Sequence, residues 1–166
     1  MKQKNSIKNN VVAVLFVNMI TCVTIIYLIC LYWKRKIIFL QQRVKTLQNH
    51  YQLLNHWIEI KLEGKSVASY FEDRGINHIA IYGMADLANR LLEDLDGSSI
   101  KVDYGIDKDV SCSMTRIAEV YFPEDVLPPT DAIVVTPYSI FETIKPMLEK
   151  RVTCPIISLE DIVWSV

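Results

Sequence analysis

Apolar and polar positions change rhythm three times along this chain. Residues 11–32 read VVAVLFVNMITCVTIIYLICLY without a charged side chain, and Trp33, Lys34, Arg35 and Lys36 follow at once. At about 1.5 Å rise per residue, such a helix crosses a hydrocarbon core of roughly 30 Å. A cleaved signal peptide would show a shorter core and small residues near its end, where Leu31, Tyr32 and Trp33 stand. The run therefore predicts a single transmembrane helix over 11–33, behind a short basic tail over 1–10.

From 34 to 63 the period becomes helical, free of glycine and proline. Ile37, Leu40, Val44, Leu47, Tyr51, Leu54 and Ile58 recur at alternating steps of three and four, a heptad seam. The segment reads either as a coiled coil or as one amphipathic helix on the following domain. Its first part, 37–47, is expected to pair with another copy, and its second, 51–62, to pack on the domain. Gly64 ends this helix, Ser66 can cap the short helix 67–74, and Gly75 closes that one.

Beyond Gly75, short apolar runs alternate with helical stretches. The runs 78–82, 101–106, 119–122, 131–136 and 155–159 read as strands, and 85–95, 140–150 and 160–164 as helices. Alternation of this kind implies a parallel sheet with right-handed crossovers, in the order 3-2-1-4-5. The fold class is thus a small Rossmann-like α/β domain over 64–166, preceded by the span and a juxtamembrane helix. Ligands of such sheets bind beyond the carboxyl ends of the strands, where the order reverses. That places the candidate site at Gly83, Met84, Ala85, Asp86 and Leu87, with Asp107, Lys108, Thr136, Pro137 and Tyr138.

The turn Gly83-Met84-Ala85-Asp86-Leu87-Ala88 is G-x-A-x-x-A, a degenerate form of the dinucleotide fingerprint. Gly83 permits the tight turn, and Ala88 is small enough for close helix–strand packing. Ala85 stands where a second glycine would admit a pyrophosphate, and Asp86 suits the helix dipole but repels a phosphate. Asp107, 24 residues after Gly83, can serve as the acid that holds a ribose hydroxyl.

The segments YQLLNHWIEIKLEGKSVASYFEDRGINHIAIYGMADLANRLLEDL, VDYGIDKD, DAIVVTPYS and CPIISLEDI together resemble a Rossmann-like domain of bacterial cell-surface polysaccharide clusters. That domain is commonly fused to glycosyltransferases or found in small companion proteins, and is similar to the N-terminal nucleotide-binding domain of sugar O-acetyltransferases. The resemblance covers about 51–161 and not the span. It departs from the family pattern where Ala85 and Ala88 replace glycines. It implies NAD, a nucleotide or a nucleotide-sugar as ligand, with glycosyltransferases or other polysaccharide-pathway proteins as partners.

Charge sharpens the picture. Lys2, Lys4, Lys8, Lys34, Arg35, Lys36, Arg43 and Lys45 give residues 1–45 a charge of +8 without one acid; the remainder carries −9, for a net −1. An acidic domain argues against nucleic acid, whose binding rests on phosphate neutralisation. The excess of bases after the apolar run predicts a cytoplasmic C-terminal domain. Cys22 and Cys30 lie in the apolar run, and Cys112 and Cys154 could form at most one disulfide. His50, His56 and His78 do not cluster as metal ligands. The acid pairs Glu72-Asp73, Glu93-Asp94, Glu124-Asp125 and Glu160-Asp161 read as solvated helix ends and loops. Tyr104 and Lys108 have the Y-x-x-x-K spacing of short-chain dehydrogenases, but they straddle a strand end rather than share a helix face. No nucleophile elbow, P-loop or zincin motif is present.

The expected function is therefore a membrane-anchored, non-catalytic nucleotide or nucleotide-sugar binding module, acting as regulator or scaffold in a cell-envelope glycan pathway. Two alternatives stand beside it. One is a subunit or diminished relative of an NAD-dependent or nucleotide-sugar-modifying enzyme, and the other an interaction domain with a vestigial site.

Overall fold

The computed structural model describes residues 2–109, 117 and 119–166, the side chains of 2–17 excepted. One helix, α1, runs over Lys2–Leu62. The chain divides into two compact units, residues 1–48 and 49–166. The first is helix throughout its described length. Among the described residues, no helix is long and apolar enough to cross a membrane. Residues 11–17 of the expected span lie outside the described side chains. The remainder, 18–32, falls short of the ~20 residues a span needs, so the fold gives the span no support.

The second unit opens with the last turns of α1. A glycine-dependent stop ends the helix. Gly64, at φ 74°, lets its own N–H reach the Lys61 carbonyl and the Lys65 N–H reach that of Ile60, a Schellman arrangement. Then come α2 (Ala68–Glu72), β1 (His78–Tyr82), α3 (Asp86–Leu95), β2 (Lys101–Ile106), β3 (Val120–Tyr121) and β4 (Ala132–Val135). A 3-10 turn over Tyr138–Ile140 leads into α4 (Phe141–Leu148), followed by β5 (Ile156–Ser158) and α5 (Leu159–Trp164). All strand pairs are parallel, in the order β3-β2-β1-β4-β5. This is the α/β sheet that the alternation of periods predicts.

Both faces of the sheet are covered. On one face Ile79, Ile81, Ala132 and Val134 meet α1, α2, α3 and α5 through Leu53, Trp57, Phe71, Leu91 and Ile162, among others. On the other, Ala80, Tyr82, Tyr104, Ile106, Ile133 and Val135 meet Ile144 and Leu148 of α4. A bulge sets which β2 residue joins which face. Ile79 pairs with Val102 but Ala80 with Tyr104, so Asp103 is the extra residue. Asp103 is held there by His78 Nδ1 at 2.8 Å and by the Thr130 hydroxyl, which donates at 3.2 Å. The phase of the strand flips after it. Tyr104 and Ile106 turn toward α4, and Gly105 turns under Met84.

The last turns of α1 do pack on the domain, as expected, but along a different stripe. Leu53, Trp57 and Ile60 are buried, whereas the seam residues Tyr51 and Ile58 stay 69% and 58% exposed. The reason is Asp94. This acid, expected in solvent, is 6% exposed. Its carboxylate accepts hydrogen bonds from the Trp57 indole N–H at 2.8 Å, the Val67 N–H at 3.2 Å and the Lys61 ammonium. Its backbone carbonyl accepts from the Ser66 hydroxyl at 3.1 Å. Burial alone would raise the Asp94 pKa, but Lys61, then Trp57 and Val67, outweigh it and hold it below the usual carboxylate range.

A depressed native pKa adds stability above the unfolded value, about 3.9, that disappears as the pH falls through the folded one. Asp94→Ala should cost about 3 kcal/mol, because two buried N–H donors lose their acceptor. Urea unfolding from pH 7 to 3 reads both effects: the mutational cost should be largest at neutral pH and shrink on acidification. A pH-independent cost would show that the charge does not matter.

Candidate functional site

The crevice beyond β1 and β4 forms where the strand order reverses. Gly83 leaves β1 at φ 88°, a conformation that side chains resist, and donates its N–H to the Ile106 carbonyl at 2.8 Å. A Cβ built on it would lie 2.6 Å from Pro137 Cδ and 2.9 Å from Thr136 Oγ1. Thr136 explains that closeness: its hydroxyl donates to the Gly83 carbonyl at 2.7 Å, with the Tyr82 carbonyl at 3.2 Å. The loop after β4 is thus sewn onto the turn after β1.

Asp107 closes the other side. Its Oδ2 accepts the Met84 N–H at 2.7 Å, and its Oδ1 accepts the Asp109 N–H at 3.0 Å. The carboxylate therefore holds the turn. Met84 is buried with its thioether over Gly105, whose missing side chain makes the room; a Cβ there would lie 2.6 Å from the sulfur. The helix α3 starts at Asp86 with Ala85 as an extended cap that supplies no side-chain hydrogen bond. Ala85 and Asp86 are exposed, and Leu87 turns into the core. Among the described residues, nothing accepts the N–H groups of Ala85, Asp86 and Leu87.

The structure thus brings together Gly83 to Leu87, Asp107, Thr136 and Pro137. Lys108 is exposed beyond the end of β2. Tyr138 goes elsewhere. Its ring stacks on His50 at 6.2 Å and joins the core beneath α1, its hydroxyl has no hydrogen-bond partner among the described residues, and burial, then Glu160, raises its pKa. One titratable residue next to the Gly83 turn was missed. Tyr82, the last of β1, is buried on the α4 face, and burial, then the charges of Asp107 and Glu124, raises its pKa. Its place at the carboxyl end of the central strand was the available signal.

Tyr104 and Lys108 do not form a catalytic pair. Tyr104 is buried in β2, its hydroxyl donates to the Pro128 carbonyl at 2.7 Å, and burial, then Cys154 and Asp103, push its pKa to about 12. Among the described residues, no group of His, Cys, Asp and Glu is placed to hold a metal ion. Cys154 is a half-buried free thiol, and Cys112 lies outside the described residues.

The fold and crevice define a five-stranded, all-parallel α/β domain with its reversal point at Gly83. Compared with protein-family models, curated proteins and solved structures, the chain matches none.

Gly83→Ala should destabilise the domain by about 2–3 kcal/mol, combining a left-handed alanine with a clash against Pro137. Denaturant unfolding measures this. A loss under about 0.5 kcal/mol, typical of open surface sites, would show that the loop after β4 does not press on the turn.

Proposed function

We propose that this chain is a membrane-anchored, non-catalytic module that binds a nucleotide or nucleotide-sugar, as a regulator or scaffold in cell-envelope polysaccharide biosynthesis. The observation that carries the ligand reading is the α3 start. Among the described residues nothing accepts the N–H groups of Ala85, Asp86 and Leu87, which follow directly on Met84, whose own N–H is held by Asp107. Backbone donors at a helix start suit a phosphate, and an acid at the end of the second strand suits a ribose hydroxyl. The pathway, and glycosyltransferases as partners, rest on the sequence resemblance. The anchor rests on the uncharged run 11–32, and the excess of bases after it supports a domain on the cytoplasmic side.

Non-catalytic is the simplest reading of the crevice. Asp107 is engaged with backbone N–H groups, and the phenol of Tyr82 is raised rather than lowered in pKa. A binding site needs no more than donors, an acid and a shape.

Calorimetry of the full chain in detergent micelles against NAD, nucleotides, UDP-sugars and CMP-sugars tests the ligand. Ala85→Gly should tighten binding by opening the approach to the backbone. Asp107→Asn should weaken it about tenfold or more, the cost of one hydrogen bond to a charged group. Absence of binding by every compound below millimolar would leave an interaction domain with a vestigial crevice. Deleting residues 1–33 should release the protein from the membrane fraction; a truncated chain that still sediments with membranes would remove the anchor.

A further inference from the structure

The domain and the heptad seam use different sides of α1. In the register that starts at Ile37 as position a, the domain covers Leu53 and Ile60 at c and Trp57 at g. The a and d positions are left exposed, except Leu54, which packs in part against the core. Ile37, Val44, Tyr51 and Ile58, at a, are 51%, 62%, 69% and 58% exposed. Leu40 and Leu47, at d, are 50% and 69% exposed, and Leu54 is half-buried. Among the described residues, each unit of the chain therefore carries apolar seam positions that stay largely exposed. In the second unit, Leu54 and Ile58 also line a groove of about 500 Å³ between α1 and α3, with Leu62 83% exposed at its end.

We propose that a second copy of this chain occupies this seam as a parallel two-stranded coiled coil extending from Ile37 through Ile58. Three of the four a positions are β-branched and all three d positions are leucine, the combination that favours two strands over three or four. Flanking charge sets the direction. The g positions Lys36 and Arg43 are basic, and the e positions Gln41 and Gln48 are neutral amides. A parallel pair places each base beside an amide of the second copy, which can accept from it. An antiparallel pair would set g against g, base against base. The pairing does not stop where the domain begins, because the Asp94 cluster turns Trp57, not Ile58, toward the sheet. The pairing is independent of whether the crevice binds a ligand.

Disulfide trapping of the full chain in detergent micelles tests this, with Cys22, Cys30, Cys112 and Cys154 replaced by serine and single cysteines introduced. Leu47→Cys and Leu54→Cys, both at d, should oxidise to a covalent dimer. Gln42→Cys, at the outward f position, should lag by about tenfold or more, because its Cα atoms lie beyond the roughly 7 Å limit for a disulfide. Sedimentation should give two chains per particle, and Val44→Lys with Leu47→Lys should give one. A trimer or tetramer, equal trapping at Gln42, or a monomeric starting protein would overturn the proposal. Trapping at Leu47 without Leu54 would overturn its extension into the domain.

Discussion

A single buried carboxylate holds this architecture in place. Asp94 sits on α3, yet its acceptors take donors from α1 through Trp57 and Lys61 and from the start of α2 through Val67. Three helices on one face of the sheet are therefore tied at one point. A charge buried without partners would be prohibitive, so the surrounding donors must all be in position for the fold to form. That requirement rotates α1 to present Leu53, Trp57 and Ile60 inward. Hydrophobicity alone would not choose this stripe, since Tyr51, Ile58 and Leu62 are equally apolar and are left outside.

The crevice follows the same logic on a smaller scale. Thr136 and Asp107 approach the Gly83 turn from opposite sides and satisfy its backbone groups. Among the described residues, the first N–H groups of α3 are left without an acceptor. The turn is thus rigid where the chain can reach it and open where it cannot.

Much of the domain was legible because its punctuation is strong. β1 and β2 fall on the runs 78–82 and 101–106 that the apolar pattern marks, since Gly75, Gly83 and Gly97 bound them with positive φ. The strand order followed from the helices between strands. Other features left no trace in the pattern. Glu93-Asp94 looks like any solvated acid pair, and only Trp57, thirty-seven residues earlier, reveals why one of the two is buried. The Asp103 bulge is silent because a strand covered on both faces does not alternate. In the crevice, Gly83, Asp107 and Thr136 were readable from topology. Tyr138 was not, because the turn after Pro137 swings its ring under α1, toward His50.

The bulge at Asp103 has a wider consequence. It lies at the amino-terminal rim of the sheet, bonded to His78 and Thr130, whereas Asp107 and the Gly83 turn lie at the opposite rim. The two rims are linked by parity. One residue more or fewer before Tyr104 exchanges the two sides of everything after it, sending Asp107 away from Met84 and Tyr104 into the wrong layer. The crevice thus depends on a count kept at the far side of the sheet. Along this stretch the chain can tolerate a changed side chain far more readily than a changed length.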